Sequence, residues 1–302
     1  MKVVKVILKT IGWIFLGVVM LLIALVVAIR IPTVQNFVVQ KATRFISDKT
    51  NTTVALNRIL IAFPKKVVLE GLYLEDKSKD TLLYAGALKI DVDLLGLISK
   101  RVTVNSLELN DFNANIYRFN NDSSFNFSFL PQAFQDTTVA KIDDTTSLKK
   151  GTPWGIAVKD VELNNIRFHY NDSLTGTFFN VSLNKFYTEF DKLDISDNNF
   201  EINTFELNGL SGSFVQTLAA AAKTPKEDTA RSPFRILAEE VELNNIAFKY
   251  ESIPSGLDVN LNIGKSWLKN GSFDLIKQLA KGEKFELENS SVFMAMKQVK
   301  QD

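Results

Sequence analysis

The sequence predicts a mainly β protein held at a membrane. Three observations predict it: an uncharged apolar run near the N-terminus, apolar/polar alternation from residue 52 onward, and a short motif that returns six times. Leu88, Ile90, Val92 and Leu94 alternate with Lys89, Asp91 and Asp93, and Leu257, Val259, Leu261 and Ile263 alternate with Asp258, Asn260 and Asn262. Such alternation marks antiparallel strands with one greasy and one wet face, and argues against an α/β fold, whose parallel strands read as continuous apolar runs.

The elements follow in chain order. Residues 1–9 carry Lys2, Lys5 and Lys9 and form a cytosolic N-terminus; residues 10–30 form a transmembrane signal anchor, because Ile11 to Ile29 holds no charged side chain and spans a bilayer's hydrocarbon as a helix. The first 47 residues hold six basic and no acidic residues, so the N-terminus stays inside and the bulk of the chain lies in the periplasm, single-pass, at the inner membrane. A cleaved signal peptide, with Val26 and Ala28 at the cleavage site, is the alternative, but the run is long for one. Lipidation is excluded by the absence of Cys, and the exported part folds on its core rather than on disulfides.

Residues 31–50 read as a juxtamembrane amphipathic helix started by Pro32, with Val34, Phe37, Val38, Ala42, Phe45 and Ile46 on one face. That face either caps an open sheet edge, the favoured reading, or lies in the lipid headgroup layer. A first β-repeat section covers 51–131, a solvated loop 132–152, and a second β-repeat section 153–302 with a further loop near 219–233.

The repeat reads apolar, any residue, Leu, Asn, any residue, apolar. It occurs at Val54–Ile59, Leu107–Phe112, Val161–Ile166, Val181–Phe186, Phe205–Leu210 and Val241–Ile246. Within it the alternation slips by one, since Val161 and Leu163 share a face with Ile166 and Phe168 only across a break at Asn164-Asn165. Asn followed by Asn, Asp or Gly suits positive φ, so either a two-residue hairpin or a bulge in a longer strand sits there. At roughly 14 residues per strand and turn the body makes about 18 strands, an elongated object on the order of 80 Å.

These segments resemble a known family. Ile31 to Phe37, the helix to Thr50, Val54–Ile59, Val68 to Asp76, Asp80 to Leu83 and Leu107–Phe112, with Ser124-Phe-Asn-Phe-Ser-Phe-Leu130, are similar to the N-terminal part of TamB proteins in the AsmA-like superfamily. Members run longer and carry a C-terminal domain, so this chain is either a fragment or a short relative. The resemblance implies inner-membrane anchoring and a β-sheet curled into an apolar, taco-like groove. It also implies phospholipid transfer toward the outer membrane, or help in outer-membrane protein assembly and secretion with an Omp85-type (TamA- or BamA-like) barrel as partner.

Several function classes fall away. The body after residue 47 has 29 basic and 34 acidic residues with no basic cluster, which speaks against nucleic acid. With one histidine, His169, on a wet strand position, no cysteine and no phosphate-cradling loop, no enzyme and no cofactor are expected. The expected groove lining for lipid is Leu88, Ile90, Val92, Val102, Val104, Phe179, Val181, Leu183, Leu257, Val259 and Leu261. The alternatives are a filled β-sandwich built on the same residues and a membrane-tethered scaffold that offers sheet edges to nascent strands.

Overall fold

Six consecutive strands run for 18 residues each, longer than the alternation alone suggests, and the repeat motif lies inside five of them. The structure, a computed structural model, describes residues 31–62, 65–93, 101–119, 123–135, 155–194, 199–219, 235–274 and 279–297, with scattered positions between 13 and 28. Helix α1 (Pro32–Thr50) precedes β1 (Val54–Ala55), β2 (Arg58–Ala62), β3 (Lys66–Glu75), β4 (Thr81–Asp93) and β5 (Arg101–Arg118); the short α2 (Phe129–Ala133) follows. Then come β6 (Gly155–Asp172), β7 (Thr177–Asp194), β8 (Asn199–Gln216), β9 (Arg235–Ser252), β10 (Leu257–Asp274), β11 (Leu279–Lys281), β12 (Lys284–Glu288) and β13 (Ser291–Met296).

All belong to one sheet of 13 strands in ten positions, in sequence order, with β1 and β2 end to end along β3, and β11, β12 and β13 end to end along β10. The sheet is mixed and is not closed into a barrel. The expectation of a wholly antiparallel sheet is corrected at two joints, since β5 pairs β6 in parallel and β8 pairs β9 in parallel. These joints divide the sheet into three antiparallel meanders, β3–β4–β5, β6–β7–β8 and β9–β10 with its edge strands. Parallel strands alternate here because no helix layer covers the second face. The estimate of about 18 strands is corrected to ten positions; nine spacings of ~4.8 Å make the sheet about 43 Å across, not 80 Å.

The motif's slip is neither a hairpin nor a bulge. Asn165 has φ 54° within β6, and the partner count on β7 is unchanged on either side of it, so no residue is inserted. The same event recurs at one level on every strand. Asn57, Gly71, Gly86, Asp111, Asn165, Asn184, Gly209, Asn245, Gly264 and Asn289 fall in one row across the sheet, between matched pairs on both sides. Positive φ occurs at Gly71, Asp111, Asn165, Gly209, Asn245 and Asn289, on the outer strands of each meander and not on its middle strand. Asn, Asp and Gly are the residue types that enter this region at least cost. Side chains lace the row: Asn165 donates to Asp111 at 3.0 Å, Asn164 to Asn110 at 2.9 Å and Asn245 to Asn208 at 3.2 Å. Glu108, Glu162 and Glu242 accept from Asn110, Asn164 and Asn244, two residues on, which explains the Glu of Val-Glu-Leu-Asn.

This crease yields a stability prediction. Gly209 has φ 69°, and a Cβ there would lie 2.2 Å from Asn184 Nδ2. Gly209→Ala is expected to cost about 1–3 kcal/mol, whereas Asn245→Gly is nearly silent. Denaturant titration of the two variants checks the contrast; equal losses would mean that backbone conformation is not what the crease selects.

Helix α1 covers the β1/β2 edge, but with a face turned about a third of a turn from the one expected. Gln35, Val39 and Thr50 are buried, whereas Phe37, Val38, Ala42 and Phe45 are exposed. A sheet edge presents unpaired N–H and C=O groups, and a polar side chain meets both on Val54: its N donates to Ser47 Oγ at 3.0 Å, and Ser47 Oγ donates to its O at 3.5 Å. The anchor expected at 10–30 lies for the most part outside the described residues; those described there, including Trp13, Leu16, Met20 and Leu21, are helical and, Ala28 apart, exposed. Among the described residues no helix is long and apolar enough to cross a membrane. The loops expected at 132–152 and 219–233 also lie largely outside the described residues, although α2 occupies the start of the first.

Candidate functional site: an apolar groove across the sheet

Register fixes which side chains share a face. On one side of the crease Leu69, Leu88, Leu109, Leu163, Phe186, Leu207 and Leu243 stand in one row, and on the other Leu72, Ala85, Phe112, Ile166, Leu183, Leu210, Ile246 and Ile263 do. Because of the slip both rows lie on the same face, so the apolar surface passes the crease without interruption. Ala85, Ile166, Leu183 and Ile246, all beside the crease, are at most 9 % exposed. In a single layer such enclosure needs the sheet to fold toward that face, which makes the crease a groove floor and the strand halves its walls.

Among the described residues the long strands make their extensive contacts with their neighbours in the sheet, and no second sheet packs on the apolar face. The filled sandwich is therefore excluded. All eleven residues expected to line the groove lie on this face, but on two walls. Leu88, Ile90, Val92, Val102 and Val104 stand on one; Phe179, Val181, Leu183, Leu257, Val259 and Leu261 stand on the other. Leu183 is buried and the rest are half-buried.

Of the aromatic part of the second wall, sequence reasoning found only Phe179. Phe168, Phe179, Phe214 and Tyr250 follow one another across β6 to β9 with ring centroids 6.0, 6.4 and 5.6 Å apart, and Phe186 meets Phe205 edge-on at 5.2 Å on the first. The signal was present: each Phe sits at a register position set by the motif's spacing.

Two polar groups interrupt the lining. Ser266 and Thr188 are buried on the apolar face, and Thr188 Oγ1 has no hydrogen-bond partner among the described residues. Thr188→Val keeps the shape and removes the orphan hydroxyl, so it is expected to leave stability unchanged or raise it by about 1 kcal/mol. A melting temperature lower by several degrees would show that the hydroxyl has a partner in solution.

The wet face is acidic along its middle. Glu108, Glu162, Glu206 and Glu242 share a row with Lys89, Tyr187 and Trp267. Burial, then the carboxylates of Asp160, Glu189, Glu206 and Glu162, push the Tyr187 hydroxyl above its ordinary pKa. His169 lies on this exposed face with Nδ1 2.8 Å from Asn180 Oδ1.

One rim is pinned by buried carboxylates. Burial pushes the Asp76 carboxyl up, but hydrogen bonds from the Tyr117 hydroxyl at 2.7 Å, Asn126 Nδ2 at 3.1 Å and the Ser78 and Asp80 amides outweigh it and hold its pKa below the usual range. This explains Asn126 within Ser124–Leu130: it ties the segment to Asp76, while Phe125 packs on Tyr170 at 5.7 Å and under Arg118 at 4.5 Å. At the α1 end, a cavity of about 730 Å³ opens between α1 and β2, lined by Pro32, Gln35, Asn36, Asn57, Arg58, Leu60 and Ile61.

These features define a class: a one-layer β-sheet protein with an open apolar groove along one face. The family model of the AsmA family matches residues 4–292, and the chain belongs to that family. The AsmA family is associated with outer-membrane assembly and lipid transport. No curated protein matches the chain.

Proposed function

We propose that this chain is a TamB-like AsmA protein, anchored in the inner membrane, with a periplasmic groove that shields phospholipid acyl chains on their way toward the outer membrane. The observation that supports it best is the apolar face itself, which runs across β3 to β10 and is covered by no second sheet among the described residues. Each CH₂ kept from water is worth about 0.8 kcal/mol, so a greasy strip crossing an aqueous gap lowers the barrier to moving an acyl chain. The α1 end, next to the uncharged run 11–29, is the membrane-proximal end. Lipid extraction from the purified full chain tests the reading: bound phospholipid is expected, and a protein that carries none from a membrane fraction would sink it. A reporter fused after Asp302 is expected to be active only in the periplasm.

A second reading, a scaffold that assists outer-membrane β-barrel assembly beside an Omp85-type barrel, is favoured by the open edge. Phe285, Leu287, Val292, Met294 and Met296 on β12 and β13 are 52–79 % exposed. β5 and β8 occupy the same place in the first two meanders, and there a parallel strand covers them. Added peptide 235–252, which carries the repeat, is expected to protect the amides of 291–296 from hydrogen exchange. No protection by that peptide, nor by unfolded barrel segments, would leave only the groove reading.

A further inference from the structure

The exposed face of α1 is a second apolar surface, distinct from the groove. Ile31, Phe37, Val38 and Phe45 are 45–60 % exposed although the helix is docked, because it docks through Gln35, Val39 and Thr50, roughly a third of a turn away. A second element joins the patch: Phe134, just after α2 and 49 % exposed, lies 6.4 Å from Phe45 between ring centroids. Cations border it. Lys41 Nζ sits 5.7 Å over the Phe37 ring, and Arg44 and Lys49 flank the stripe, against Asp48 as the one acidic residue of the helix. Apolar residues edged by long cationic side chains match a bilayer's interface, where the stems lie on the acyl boundary and the charges reach phosphate.

The page also says what covers it. Ile31 N donates to Ala28 O at 3.0 Å and Val34 N to Ile31 O at 3.0 Å, so hydrogen bonds tie the start of α1 to Ala28 at the end of the uncharged run. A helix face tethered this closely to a membrane-inserting segment meets lipid before any other partner. We infer that the outward face of α1, with Phe134, is a docking site for an anionic bilayer surface and lodges at the headgroup–acyl boundary. Since α1 covers the β1/β2 edge, docking fixes that end of the groove against the membrane. This inference rests on the anchored reading above.

The chain has no cysteine, so single labels can be placed on the full protein without background. Spin labels at Val38→Cys, Phe45→Cys and Phe134→Cys, in nanodiscs of phosphatidylcholine with phosphatidylglycerol, are expected to show an oxygen-to-nickel collision ratio several-fold above that at Gln40→Cys, on the helix's polar side. Adding Lys41→Glu, Arg44→Glu and Lys49→Glu should lower the ratio at 38 and 45 toward that of Gln40. If the chain enters the discs but 38 and 45 read like 40, the docking site falls and the anchor stands. If the labels are shielded from oxygen and nickel alike, a protein partner covers the face and the inference is overturned. If the chain stays out of the discs, the anchor falls and the docking with it.

Discussion

Arg118→Ala is expected to destabilise the sheet by about 3–5 kcal/mol, because it strips the partner from a buried carboxylate. Arg118 Nε donates to Asp172 Oδ1 at 2.9 Å and Nη2 to Oδ2 at 2.5 Å, with the two side chains 16 % and 3 % exposed. The pair bolts the parallel joint between β5 and β6, which no tight turn holds together. At the same place in the β8/β9 joint stand Gln216 and Ser252, so the ion pair belongs to the first joint alone. The Arg118 guanidinium, helped by the Thr175 hydroxyl and amide, holds the Asp172 carboxyl well below its ordinary 3.8, at about 2. The folded-state pKa is depressed, so the stabilisation is fully present above about pH 4 and is lost as the pH falls toward 2. A shift of this size corresponds to about 2 kcal/mol. Denaturant titration at pH 7 and pH 2 measures both effects: the difference between wild type and Arg118→Ala should shrink at low pH. A constant difference would assign the loss to the packing of Arg118 over Phe125 instead.

Most of the groove could be read from the chain because the motif records both walls and the floor. In Leu107–Phe112 the Leu109 and Phe112 positions supply the two inner rows, and Asn110-Asp111 supplies the crease. In β7, which runs the other way, Leu183 and Phe186 exchange walls. What stayed hidden has physical reasons. Gly71 and Gly86 belong to the crease, but their strands lack the Leu-Asn spelling, so only the neighbours' register reveals them. Parallel and antiparallel neighbours give the same alternation when one face is wet, so the two parallel joints had no signature. The phase of α1 was misjudged because an apolar stripe was assumed to face protein, whereas a sheet edge asks for hydrogen bonds. Strand number was overestimated because positive φ was taken for a chain reversal or a break, and Asn165 shows that it bends a strand that continues.

Val259→Asp is expected to leave the fold largely intact and to abolish lipid passage, and the comparison with Leu183→Asp is what makes it decisive. Both residues stand on the same wall, but Val259 is half-buried in the row of Phe179, Phe214 and Tyr250, whereas Leu183 is only 7 % exposed beside the crease. An aspartate at 183 meets Ile166 and Leu210 across the ladder and cannot reach water, so it costs several kcal/mol and melts the middle of the sheet. At 259 the carboxylate reaches the open groove, stays solvated, and puts a charge where an acyl chain slides in the proposed function. The penalty then falls on the lipid, at about 0.8 kcal/mol for each CH₂ forced away from the wall. Far-ultraviolet circular dichroism with lipid extraction separates the outcomes: Val259→Asp folded and free of lipid, Leu183→Asp depleted because it misfolds. Lipid bound as in the wild type by a folded Val259→Asp protein would place the acyl chains elsewhere. The apolar face would then serve strand docking along β12 and β13.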